Sequence, residues 1–384
     1  MAVEGSYSSR HTLRVMLPLL LFHAAWWLML ICYSLAVAEF MSGHLGLLAS
    51  LYVVSSSTFS GAFASGLALR RKIGYPLLPG PRSARRTVVV FFLSLGGSML
   101  VLWNAYMYGP PPLLRLFGAT TEVYTEYGRL KAVLFALTTL LVVMAASEPR
   151  LWLRSLLAGC AFFVFLLYMA RGPLMLALIQ YALARTLWFG AGWKKGSVAA
   201  MVPVLVAAVL FGPLGEARSG PGYFAAVMEI KPEYQHWPAV ILWLVGYVSL
   251  PAENVVSLIS RWHEWEWGTR VGRGVLPGFL GSASRVDERY LSTLPNPLNN
   301  VPTYLGWVWM DFGWLGIVLL NVIWGFAGGM LVERSPGRGG LASLPYYASV
   351  ATLFFNDHFL WFPTLVQMGA AYGIERWVWR GEKA

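Results

Sequence analysis

Apolar residues in this chain run in long blocks, each closed off by a short polar loop. A membrane-crossing helix needs about 20 such residues. The blocks predict spans at 15–38, 46–69, 87–108, 131–148, 151–170, 172–190, 197–214, 303–331, 342–356 and 359–378. Residues 1–14 are polar and the first block is too long for a cleaved leader, so it reads as a signal anchor. The segment 238–257 is also apolar enough to cross. If it crosses, the loop that follows changes sides. The preferred reading has it enter and return on one side, broken at Pro251, because irregular backbone is tolerated at membrane depth when protein or a cavity surrounds it. The competing reading is an additional span. Either way the expectation is an all-α polytopic membrane protein of about 10–11 transmembrane helices. Residues 1–384 form one integral membrane domain, and 215–302 form a large extracytoplasmic region within it.

Composition agrees with that pattern. Hydrophobic residues make up 57% and charged residues 12%, against about 25% charged in a soluble domain. This excludes a soluble enzyme, a disordered chain and a disulfide scaffold. The 15% of aromatic residues suits belts at the lipid interface. Cys32 and Cys160 both lie in apolar stretches and read as small packing residues. The net charge of +11 resides mostly in loops, which argues against a nucleic-acid partner. Arg10 and Arg14 precede the first span. Arg70, Arg71, Lys72, Arg82, Arg85 and Arg86 crowd the second loop, Arg185, Lys194 and Lys195 follow the sixth span, and Arg376, Arg380 and Lys383 close the chain. Positive residues stay in the cytoplasm. The loops at 39–45 and 109–130, the turn at Arg171 and the stretch after Leu214 then face outward.

Several outward residues carry candidate chemistry. Arg171 opens RGPLMLALIQ at a tight turn between two spans. It reads either as an interfacial arginine reaching for headgroups or as a planar fork for phosphate. Arg218 lies in GPLGEARSGPGY, where it either pairs with Glu216 or supplies a second guanidinium. Asp311 sits inside an apolar span, a costly position that marks a functional candidate. The alternative is a structural pairing. Gly306, Gly313 and Gly316 allow close packing of that span, and Thr303 can cap it. Asn356, Asp357 and His358 form a polar knot that is either a solvated turn or a source of a base. His263 stands among Trp262, Trp265 and Trp267, which suit sugar stacking or lipid equally; His236 and Glu253 complete the set. The chain has no HExxH, CxxC, Walker or GxSxG motif, so no metal, nucleotide or other cofactor is expected. Arg171, Arg218, Arg273, Arg289, Asp311 and His358 come from distant parts of the chain, yet the topology sets all of them on the outer side. A basic outer cavity flanked by apolar spans suits a lipid-linked anion.

The stretch PTYLGWVWMDFGWLGIVLLNVIWG, with Thr303, Gly306, Asp311, Phe312, Gly313, Gly316 and Gly325, resembles the hallmark span of Wzy-type oligosaccharide repeat-unit polymerases. Arg171-Gly172 is similar to the Arg-Gly between two central spans of that family. Arg218 is similar to the arginine opening its large loop, and YVSLPAEN at 247–254 is similar to a Tyr-x-Ser-x-Pro segment within that loop. The resemblance covers roughly residues 165–330. It implies a GT-C-type glycosyltransferase in the bacterial inner membrane, with its active site facing the periplasm. Such an enzyme moves a glycan from undecaprenyl pyrophosphate onto the terminal sugar of a lipid-linked repeat unit, in O-antigen or exopolysaccharide synthesis. A chain-length regulator and a flippase are the partners it would work beside. Developing pyrophosphate charge calls for arginines in a dry cavity, Arg171 and Arg218 first, Arg273 and Arg289 next. The acceptor hydroxyl calls for a base from among His358, Asp311 and His263. An O-antigen ligase-like transferase and a lipid-linked sugar flippase are the alternatives.

Overall fold

The computed structural model describes residues 2–73, 83–117, 131–188, 212–213, 215–216, 220, 222–276, 286–332, 340–355, 358 and 360–379. Arg218, Asn356, Asp357 and all but residues 212–213 of the span expected at 197–214 lie outside the described residues. Every named element among the described residues is helical; the isolated bridge between Ala38 and Ile230 is the one β-type pairing. The helices are α1 (Ala2–Ser34), α2 (Leu45–Ile73), α3 (Ser83–Tyr108), α4 (Lys131–Ala146), α5 (Leu151–Leu167), α6 (Arg171–Leu183), α7 (Tyr223–Val227), α8 (Ala239–Arg261), α9 (Thr269–Val275), α10 (Glu288–Thr293), α11 (Gly306–Leu331), α12 (Ser343–Ala351) and α13 (Phe362–Trp379). The chain is thus an all-α protein with helices long and apolar enough to cross a membrane more than once.

Helix α4 is largely apolar, and twelve of its sixteen residues are buried. Helices α3, α5, α6 and α13 pack around it. Helix α3 instead turns Phe91, Phe92, Met99 and Leu102 outward, as a lipid-facing helix must. Helices α2 and α11 run side by side in the same direction. Gly325 lies against the Phe59 carbonyl, and Gly329 against that of Phe63. A side chain at either position would strike backbone. Two apolar helices in lipid gain little from burial and associate by such close contact.

The loop around 35–44, the turn at 168–171, residues 222–305 and residue 358 gather at one end, here the upper end. The lower end holds the turn 147–150 and the basic residues that flank it. Two spans depart from expectation. Helix α8 is unbroken through Pro251, so the expected return at that residue does not occur. Proline removes one backbone hydrogen bond and crowds the carbonyl four residues back, which a well-packed helix absorbs as a bend. Although α8 is long enough to cross, it lies over the upper ends of the other helices. Trp243 and Tyr247 meet the Arg171 turn, Glu253 meets Tyr33 and Ser42 at the end of α1, and Leu258 accepts from Trp309 near the start of α11. The second departure is the span expected at 342–356. Its helix, α12, has nine residues, from Ser343 to Ala351, eight of them buried. At 1.5 Å per residue it covers less than half of a bilayer core about 30 Å thick. Such a half-span survives because protein surrounds it.

Candidate functional site

Two clusters occupy the upper end, one toward each end of α8. The first is built on Arg171. The chain leaves α5 through Met169, which has a positive φ of 47°, and starts α6 at Arg171. This turn points the guanidinium into protein: Arg171 is only 7% exposed. Its Nη2 donates to the Tyr247 hydroxyl at 2.7 Å. The group lies 4.5 Å over the Trp243 ring and 5.1 Å over the Tyr247 ring. Trp243 and Tyr247 are four residues apart, so one face of α8 supplies both. Gly215 closes the far side, where a Cβ would come within 2.6 Å of Nη1.

Phe355 stacks on Tyr247 with centroids 5.0 Å apart, and it also neighbours His358. His358 meets the edge of Trp361 and is 4% exposed. Burial pushes its imidazole down to about 4, so it is neutral at pH 7. Its Nδ1 is buried and meets no hydrogen-bond partner among the described residues. A buried polar atom in that state is ready for a ligand or a water. Arg171 and His358 are therefore joined through one run of aromatic rings, Tyr247 and Phe355. The rings that join them are not evident from sequence alone. The i, i+4 spacing of Trp243 and Tyr247 on an apolar helix was the available signal.

The second cluster is built on Asp311. Gly313 adopts φ 57° and ψ −140°, which interrupts α11 two residues past Asp311. The Trp265 ring fills the space where a Gly313 side chain would be. This break frees the carbonyls of Met310 and Asp311 to accept from Glu266 and Trp267. The Asp311 carboxylate accepts from the backbone amides of Arg270 at 3.0 Å and Val271 at 2.7 Å. It thus caps the start of α9 from a neighbouring helix.

Arg270 follows directly. It is 1% exposed, grips Glu266 through Nε at 2.7 Å and Nη2 at 2.9 Å, and pairs with Asp287 at 2.7 Å. Asp287 also accepts from the Tyr290 amide and so caps α10. Burial raises the Asp287 carboxyl, but the Tyr290 amide and the Arg270 charge outweigh it and hold the group below the usual range. Arg270 was not among the candidates. Its i, i+4 spacing from Glu266 was the signal.

Arg273 stands 3.8 Å from Asp287. Arg289 pairs with Glu264 and lies 4.4 Å over Trp262. His263 is exposed on the same loop. At 1.5 Å per residue, Tyr247 and Arg261 on α8 lie about 21 Å apart. The structure therefore joins Arg171 to His358 and, separately, Asp311 to the loop carrying Arg273. Glu253 is a structural acceptor, taking bonds from the Tyr33 hydroxyl and from the amide and hydroxyl of Ser42. Among the described residues no three His, Cys, Asp or Glu gather as a metal site.

Comparison with protein-family models, curated proteins and solved structures finds no match for the chain.

Proposed function

We propose that this protein polymerises polyprenyl-pyrophosphate-linked oligosaccharide repeat units at the outer face of a bacterial inner membrane. The observation that carries the reading is the buried Arg171 guanidinium, set over the Tyr247 and Trp243 rings, with Phe355 linking Tyr247 to a buried, neutral His358. In the transfer, the bond from the anomeric carbon to the pyrophosphate oxygen breaks. A bond from the same carbon to the acceptor hydroxyl oxygen forms. As the bond breaks, negative charge develops on the pyrophosphate, which departs with the electron pair and takes up the hydroxyl proton. A guanidinium in a dry, aromatic-walled pocket stabilises that charge far better than one in water. Tyr247 orients Arg171 through its hydroxyl. Nδ1 of His358 orients the acceptor hydroxyl; with the imidazole acid held near 4, it accepts a hydrogen bond readily and a full proton poorly. Arg218 serves as a second pyrophosphate contact.

In this reading Asp311, Arg273, Arg289 and His263 belong to the scaffold that holds the loop over the bilayer. Apart from Arg10 and Arg14, which precede the apolar part of α1, the charged residues described within the membrane helices lie within about two turns of a helix end. That favours chemistry at one surface over passage across the midplane.

The test is reconstitution of the purified protein in liposomes with an undecaprenyl-pyrophosphate repeat unit and no nucleotide sugar. A ladder of longer lipid-linked glycans is expected, and Arg171→Ala should abolish it while the protein stays folded. Unextended repeat units that appear in the opposite leaflet would refute the proposal in favour of a flippase.

A further inference from the structure

The Arg171 cluster holds a donor that the transfer described above does not use. Trp243 is 4% exposed, and its indole Nε1 is buried with no hydrogen-bond partner among the described residues. An indole N–H can only donate. Leaving it buried and unpaired costs free energy, so the group calls for an explanation. Packing alone does not supply one, because a phenyl ring fills an apolar wall with no polar atom to satisfy. Trp243 is also held in one place. Phe224 of α7 packs on its ring with centroids 4.3 Å apart. Gly246, about one turn along α8, admits Phe224, because a side chain there would strike the phenyl ring. The Arg171 guanidinium carbon lies 4.5 Å over the same indole.

Gly215 shows which way the indole faces. A Cβ at Gly215 would come within 2.6 Å of Arg171 Nη1 and 2.7 Å of Trp243 Cε2 and Cζ2. Cε2 is the carbon bonded to Nε1. The guanidinium nitrogen and the indole edge that carries the N–H therefore converge beside Gly215. Trp262 gives an internal comparison. It is 2% exposed, its Nε1 also meets no partner among the described residues, and Arg289 and Arg270 lie 4.4 Å and 5.5 Å over its ring. Those two arginines are paired with carboxylates, Arg289 with Glu264 and Arg270 with Glu266 and Asp287. The described hydrogen bond of Arg171 goes instead to the neutral Tyr247 hydroxyl. Two converging donors, one of them cationic, match two oxygens of a single phosphate group. A sugar hydroxyl would satisfy the indole but leave the charge unanswered.

We propose that the Trp243 indole N–H is a binding group of this site, donating to one oxygen of the phosphate whose neighbouring oxygen meets Arg171 Nη1. The proposal rests on the reading of the Arg171 cluster as a pyrophosphate site. In dry surroundings such a bond is stronger than in water. It tightens as charge develops on the departing pyrophosphate, which is where a preorganised donor acts on rate.

The test uses the full-length protein in detergent, with its indole nitrogens isotopically labelled for NMR and inorganic pyrophosphate as the probe. Trp243→Phe keeps a ring beneath the guanidinium and loses the N–H. It identifies the Trp243 resonance by its disappearance, and Trp243→Tyr does the same if the first variant fails to fold. On titration of the unaltered protein the Trp243 N–H proton should move downfield while that of Trp262 stays in place. The affinity read from the titration should fall about tenfold or more in Trp243→Phe. A Trp243 resonance that stays put while pyrophosphate binds, with binding abolished in Arg171→Gln, would overturn the indole assignment and leave the anion site standing. Undiminished affinity in folded Trp243→Phe would do the same. No binding by the unaltered protein would overturn both.

Discussion

Replacing Asp311 separates a structural cap from a catalytic base. The carboxylate takes two amide hydrogen bonds, from Arg270 and Val271, and is fully buried. A hydrogen bond to a charged group contributes about 1.5–3 kcal/mol, and an orphaned buried donor adds to the loss. Asp311→Ala removes both bonds and should weaken the attachment of α9 by about 3–5 kcal/mol. Asp311→Asn keeps one carbonyl oxygen but turns an amide donor toward the second N–H, so about half that loss is expected. Hydrogen exchange by mass spectrometry reads this locally, since amide exchange reports the free energy of local opening. The peptide covering 266–276 should lose about a hundredfold to several thousandfold of its protection in Asp311→Ala, because each 1.4 kcal/mol is tenfold. Helix α4, at the centre of the bundle, should be unaffected. Exchange within threefold of the unaltered protein in Asp311→Ala would refute the cap. Asp311→Asn that lost all turnover with unchanged exchange would make the residue a catalytic group instead.

Three further outcomes follow from the same geometry. Tyr247→Phe removes the bond to Arg171 and should reduce chain extension about tenfold to a hundredfold, matching a loss of about 1.5–3 kcal/mol, with little change in thermal stability. Gly313→Ala must hold an alanine at φ 57° against Trp265 and should cost about 1–3 kcal/mol, measured by thermal unfolding in detergent. His358 is neutral when folded, with its imidazole at about 4, against 6.5 in the unfolded chain. The unfolded chain therefore binds the extra proton between these values, and stability falls as pH drops from 6.5 to 4, by up to about 3 kcal/mol. His358→Gln should flatten the stability profile over that window; an unaltered profile would contradict the buried neutral imidazole.

The amino-acid sequence by itself determined the all-α membrane character, the position of most helices and the placement of Arg171 at a turn between two of them. Apolar block length and loop charge are local quantities, and the bilayer reads them directly. It also marked Asp311 as exceptional, because an ionisable group within an apolar block is conspicuous whatever surrounds it. What Asp311 does was decided by tertiary structure: its partners are amides 40 residues earlier, on a loop that only folding brings to α11. The course of α8 was decided in the same way. Its apolar length permits crossing, and its contacts with the ends of α1, α6 and α11 lay it across the bundle. The grouping of the arginines had the same origin. Arg289 meets Glu264, and Arg270 meets Asp287, through loop closures that no residue spacing encodes. Charge pairing depends on distances in space, so the one outer cavity expected from topology resolved into two clusters with different partners.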